Sequence, residues 1–196
     1  MKTKKIEFKT KQERCRFRHP LIEINHDESC CTVNGCEVAK MVSQEQCEQC
    51  ERFESMFNEK IKVYTDGSAL NNGSSDSGCG WACKLIYRGH EKMKSGGDKG
   101  KTNNVMEMTA VLQAMRAITD KSIPVEVFSD SKYVVETLNG NFKIKKNVEL
   151  WQELMAEKGK FEDIQFIWVK GHDKDKHNIE VDKMAVMEAR EAWAKR

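Results

Sequence analysis

From Ile61 onward, apolar and polar positions follow a regular pattern, first in short strand-like runs and then at helical spacing. "IKVYTD" (61–66) and "GCGWACKLIYRG" (78–89) read as strands separated by a Gly/Asn/Ser loop, and "HEKMKSGG" (90–97) as a third strand closing an antiparallel meander. "TNNVMEMTAVLQAMRAIT" then sets Val105, Met108, Leu112 and Met115 at helical spacing, with Thr or Asn available as cap. "PVEVFSD" is a short apolar strand ending, like the first, in an aspartate. "SKYVVETLNG" predicts a short helix stopped by Gly140, and "NVELWQELMAEKG" a helix capped by Asn147 and closed by Gly159. "IQFIWVKG" is the last strand, and "NIEVDKMAVMEAREAWAKR" a helix with Val181, Met184, Ala185 and Ala189 on its inner side. The order βββαβααβα implies an α/β fold, a mixed sheet with helices on its faces.

The first ~55 residues carry no such periodicity, which places a boundary near Asn58 and separates a segment 1–57 from a domain 58–196. A chain of 196 residues suits one ordinary domain plus an appendage. With 39% hydrophobic and 33% charged residues it reads as soluble, and no apolar run approaches the ~18 residues of a membrane span. "MKTKKIEFKTKQERCRFRH" is basic but leads into no apolar signal core, so a cytoplasmic location and no membrane partner are expected. Residues 1–18 hold eight Lys/Arg against two Glu, and residues 19–60 three against nine. Net charge therefore does not identify a partner, and attraction to nucleic acid would need local patches.

Eight cysteines in a reducing compartment argue for metal binding or inert thiols rather than disulfides. Cys31-x4-Cys36 and Cys47-x2-Cys50 approach the paired spacing of a structural zinc site, with Cys15 and Cys30 as alternative ligands. Reduced thiols and an iron–sulfur cluster are the other readings. So short a segment holds too little apolar content to fold without metal. The basic arm 1–18 suits either nucleic-acid phosphates or a docking protein, and the sequence names no such protein partner. Cys79 and Cys83 share one strand face and read as core thiols.

Four acids fall on four different elements: Asp66 ending the first strand, Glu107 in the first turn or so of the first helix, Asp130 ending the fourth strand, and Asp182 near the start of the last helix. Adjacent parallel strands ending in Asp66 and Asp130 would set two carboxylates side by side at the sheet edge where open sheets bind ligands. Converging carboxylates raise one another's pKa, and divalent cations relieve the repulsion. Hard oxygen ligands select Mg²⁺, or Mn²⁺ in its place. Two such ions support in-line hydrolysis of a phosphodiester. Taken singly, each acid also fits a turn former or a solvated helix charge; the combination carries the weight.

"YTDGS", "TNNVMEM", "SDSKYV" and "WVKGHDKDKHNIEVDKMA", in this order, give the chain from Ile61 onward a strong resemblance to type 1 ribonuclease H. The resemblance implies the ribonuclease H-like fold, a five-stranded mixed sheet flanked by helices. It implies an endonuclease that cuts the RNA strand of RNA–DNA hybrids and leaves 5′-phosphate and 3′-hydroxyl ends. It implies that Asp66, Glu107, Asp130 and Asp182 hold two Mg²⁺ ions, with Asp66 shared, and that His172 assists proton transfer or product departure. Substrate contacts map onto Gly67 and Ser68, where the backbone would approach the RNA, and onto Asn72, Asn103 and Asn104, with Thr102 gripping a DNA phosphate. The same side chains also suit turns and caps. Between Leu138 and Trp151, where some relatives insert a long basic handle, this chain has "NGNFKIKKNVEL", whose Lys143, Lys145 and Lys146 are the available replacement.

Two other readings stand beside this one. One is a catalytically weak nucleic-acid-binding module of the same fold, which the intact acidic tetrad disfavours; the other is a nuclease of the same fold acting on double-stranded DNA or RNA.

Overall fold

The computed structural model describes residues 59–171 and 175–194 in full, and residues 24–25, 28–31 and 40–41 by backbone alone. Two units are distinguished, Met1–Asn58 and Glu59–Arg196. In the first, β1 (Ile24–Asn25), β2 (Glu28–Cys31) and β3 (Lys40–Met41) pair antiparallel in that order. Of the cysteines expected to bind zinc, Cys15, Cys36, Cys47 and Cys50 lie outside the described residues, and Cys30 and Cys31 are described only as backbone of β2.

In the second unit the expected order appears in full: β4 (Ile61–Leu70), β5 (Gly78–Tyr87), β6 (His90–Lys99), α1 (Asn103–Ala117), β7 (Val125–Ser129), α2 (Lys132–Leu138), α3 (Val148–Lys158), β8 (Ile164–Trp168) and α4 (Lys176–Ala194). The sheet runs β6-β5-β4-β7-β8, antiparallel across the meander and parallel from β4 through β7 to β8. It is a five-stranded mixed sheet, as the sequence implied.

Alternation along the strands assigns each side chain to a face. Val63, Cys83, Val125 and Val127 join Met108, Val111, Leu112 and Met115 of α1, Leu138 of α2, and Trp151 and Leu154 of α3 in the larger core. Each fully buried Leu or Met there contributes about 1.5–3 kcal/mol. The other face is narrower: Tyr64 and Ala82 meet Val181 and Ala185 of α4, with Met184 partly buried against them. Small residues set this spacing, since a Cβ on Gly80 would stand 2.1 Å from the Ala185 carbonyl oxygen.

Three local features differ from expectation. β4 has ten residues rather than six, because its antiparallel ladder with β5 continues to Leu70↔Gly78 after its parallel ladder with β7 stops at Thr65↔Ser129. Asp66 therefore ends the parallel ladder, not the strand. Asn147 adopts left-handed backbone (φ 53°) and makes no side-chain cap bond to α3; its amide instead lies 3.9 Å from Met108 Sδ. α4 begins two residues earlier than expected, because the Asp175 carboxylate accepts from the backbone N–H groups of His177 (2.8 Å) and Asn178 (3.3 Å).

Candidate active site

The parallel ladder positions the first two acids. Thr65 pairs with Ser129, so Asp66 and Asp130, each the next residue, leave neighbouring strands at the same sheet edge. Glu107 reaches them from the second turn of α1, slightly later than expected. One carboxylate oxygen from each of Asp66, Glu107 and Asp130 lies within 4.8 Å of the others, a group that could hold a metal ion. Asp182, on α4, adds its charge to the same site, where it acts on Asp66.

Burial makes this cluster costly. Asp66 is 8% exposed and Glu107 5%. Burial, followed by the charges of Asp130 and Asp182, pushes the Asp66 carboxyl from an ordinary 3.8 up to about 8, although the Gly67 N–H, donating to Asp66 Oδ1 at 2.7 Å, opposes the shift. Burial and then the charges of Asp66 and Asp130 hold the Glu107 carboxyl well above the usual range. Glu107 Oε2 is buried with no hydrogen-bond partner among the described residues. A buried carboxylate grouped with two further carboxyls, with one oxygen unpaired among the described residues, fits a hard divalent cation.

Other expected site residues have more local tasks. A Cβ on Gly67 would stand 2.2 Å from the Glu107 backbone nitrogen, so α1 packs directly on this glycine. Asn72 Oδ1 accepts from the Asn103 N–H at 3.0 Å, and the Asn103 amide donates to Glu107 Oε1 at 3.4 Å. These two asparagines thus tie the β4–β5 loop to α1 and orient Glu107. Thr102 Oγ1 caps α1 by accepting from the Val105 N–H at 3.4 Å, and both Thr102 and Asn104 are exposed. Ser68 is partly buried in β4, two residues beyond Asp66 and on its face of the sheet.

His172 lies outside the described residues. Its neighbour Gly171 stands against Asp130, where an added Cβ would come 2.8 Å from Oδ2. Trp168 Nε1 donates to the Asp130 carbonyl at 3.0 Å. Neither contact was evident in the sequence, because both depend on where β8 ends beside β7.

A family model described as RNase H matches residues 58–190. Among similar proteins, Ribonuclease H of Helicobacter acinonychis is 37% identical over 145 residues, covering 70% of this chain and 97% of that protein. Ribonuclease H of Campylobacter concisus is 39% identical over 137 residues, covering 66% and 92% respectively. Among solved structures, the N-terminal RNase H domain of a Mycobacterium tuberculosis protein superposes with a TM-score of 0.60 at 23% identity, covering 69% of this chain and 96% of that one. LC11-RNase H1, isolated from compost by a metagenomic approach and captured in complex with an RNA/DNA hybrid, gives a TM-score of 0.58 at 23% identity, covering 68% and 99%. At these identities the two structures speak for the fold, and the family model and curated relatives speak for kinship. The chain belongs to the RNase H family of hydrolases.

Proposed function

We propose that residues 58–196 form a catalytic domain that hydrolyses the RNA strand of RNA–DNA hybrids, leaving 5′-phosphate and 3′-hydroxyl ends. The cluster of buried Asp66 and Glu107 with partly buried Asp130 carries this reading, with one carboxylate oxygen of each within 4.8 Å of the others. Asp66, Glu107, Asp130 and Asp182 would hold two Mg²⁺ ions, for which Mn²⁺ can substitute. When bound, these ions supply activation of water and neutralisation of the leaving oxygen.

The chain's own residues do the positioning. The Gly67 N–H fixes one oxygen of Asp66, and the Asn103 amide holds one of Glu107, so both carboxyls are oriented before anything binds. Asn72, Thr102, Asn103 and Asn104, at the N-terminus of α1 and its neighbouring loop, together with Gly67 and Ser68 of β4, would supply the groups that meet ribose hydroxyls and phosphates. His172 would accept or donate a proton as the product departs. Labelled RNA–DNA hybrid, RNA duplex and DNA duplex, each incubated with and without Mg²⁺, test the reading. Mg²⁺-dependent cleavage confined to the RNA of the hybrid is expected, and loss of it in Asp130→Asn. Undiminished cleavage by that variant would refute the reading, and tight hybrid binding without cleavage by the unaltered protein would favour a binding module.

For residues 1–57 we propose a structural zinc site drawn from Cys31, Cys36, Cys47 and Cys50, with Cys15 and Cys30 as alternatives. The support is the paired cysteine spacing. Elemental analysis of protein purified without chelators should find near-stoichiometric zinc, and its absence refutes the site.

A further inference from the structure

Lys84 is 4% exposed, rare for a lysine. It lies in the middle of β5 on the side covered by α4, the same side as Gly80 and Ala82. Its ammonium is held by Glu180 of α4 at 2.5 Å and by Glu91 of β6 at 2.7 Å. Burial alone would lower its pKa, but the hydrogen bonds to Glu180 and Glu91 outweigh burial and raise it. The ammonium is therefore charged and fixed between helix and sheet.

Register places this pair directly beneath the acidic cluster. Lys84 pairs with Tyr64, and Tyr64 with Phe128; each of these two aromatics precedes a carboxylate, Asp66 or Asp130, by two residues. Tyr64 stacks on Phe128 (ring centroids 4.9 Å apart) and lies 5.1 Å from the ring of His177 in the first turn of α4. Glu180 follows His177 by one turn and precedes Asp182 by two residues. Asp182 brings negative charge to Asp66, so whatever holds α4 down sets how near the two carboxyls stay.

We propose that Lys84 is a positioning residue for the acidic cluster: through Glu180 it anchors the first turns of α4 on the sheet and keeps Asp182 at Asp66. This rests on the reading of Asp182 as a metal-holding group. Residues that orient metal ligands without touching the metal typically change metal affinity 10–100-fold when removed. A purely structural ion pair would change the melting temperature and leave metal affinity alone.

The test is Mg²⁺ binding to the full chain, measured by calorimetry without nucleic acid, with the melting temperature recorded alongside. Lys84→Met keeps the length of the buried stem and removes the charge. Mg²⁺ affinity is expected to fall about tenfold, with the KM for hybrid unchanged and kcat at fixed Mg²⁺ reduced. In an Asp182→Asn background the same substitution should add less than about a twofold loss, because the residue being positioned is already gone. Lys84→Arg should restore most of the affinity. Glu180→Gln, at a partly exposed site, should weaken Mg²⁺ in the same direction and serves if Lys84→Met does not fold. Unchanged Mg²⁺ affinity in a folded Lys84→Met or Glu180→Gln protein, or full additivity with Asp182→Asn, overturns the proposal even if the protein melts earlier. If the unaltered protein binds no Mg²⁺ and cleaves no hybrid, the catalytic reading falls and this proposal with it.

Discussion

Gly67 and the backbone of Glu107 are in such close contact that a single methyl group on the glycine would come within 2.2 Å of the Glu107 nitrogen. This contact, between a strand and the second turn of a helix, brings Glu107 into a cluster that starts on β4 and β7. Gly67→Ala should therefore push α1 from the sheet, with an overpacking cost of about 1–3 kcal/mol. Denaturant unfolding should show that loss, and cleavage of hybrid should fall more steeply than stability alone explains. A protein of normal stability and activity would mean that α1 yields without moving Glu107.

Charge at the cluster opposes folding until a cation is present. Glu107→Gln removes a buried carboxyl of almost the same shape, so melting without divalent metal should rise or stay level. Hybrid cleavage by the same variant should drop by about 10–100-fold or more. Activity and stability thus move apart, a pattern that a merely structural glutamate would not produce. Parallel loss of both would argue against the site.

The raised Asp66 pKa fixes the direction of a pH effect. Between about pH 4 and pH 8 the folded Asp66 keeps a proton that the unfolded chain releases, so rising pH favours the unfolded metal-free protein. Stability should fall across that window, by up to about 6 kcal/mol if the shift from 3.8 to about 8 acts in full. Glu107, also shifted upward, adds to the fall. Mg²⁺ should reverse it and release protons on binding near pH 7, fewer above pH 9. Calorimetric titrations in buffers of different ionisation enthalpy measure the released protons, and a count near zero at pH 7 would rule out the assigned shifts.

The element order and the strand edge carrying Asp66 and Asp130 were legible because alternating runs and terminal aspartates are local signals. Asp182 was legible only through the motif around it, since a helical acid alone carries no local signal. The contact of Gly67 with α1 was not legible, because the helix that packs on it lies 40 residues further along the chain. Lys84 left a trace, a lysine on the buried phase of "GCGWACKLIY", but its partners Glu91 and Glu180 lie on other elements and no spacing announces them. Asp175 illustrates the same limit. It reads as part of a charged loop, and only the N–H groups it accepts from mark it as the start of a helix.

Electrostatic grip on the hybrid should reside in the short loop before α3. Lys143, Lys145 and Lys146 are all exposed, interleaved with Phe142 at 46% and Ile144 at 39% exposure. None has an assigned place in the acidic cluster, so replacing all three by alanine should leave kcat at saturating hybrid unchanged. Each lysine that neutralises a phosphate contributes about 0.9 to the slope of log affinity against log salt on duplex DNA. The triple variant should thus bind hybrid more weakly at low salt and show a slope shallower by up to about 2.7 on that scale. Affinity measured at several salt concentrations separates the cases: a smaller slope assigns the lysines to the phosphate backbone, and an unchanged one leaves them as a solvated face.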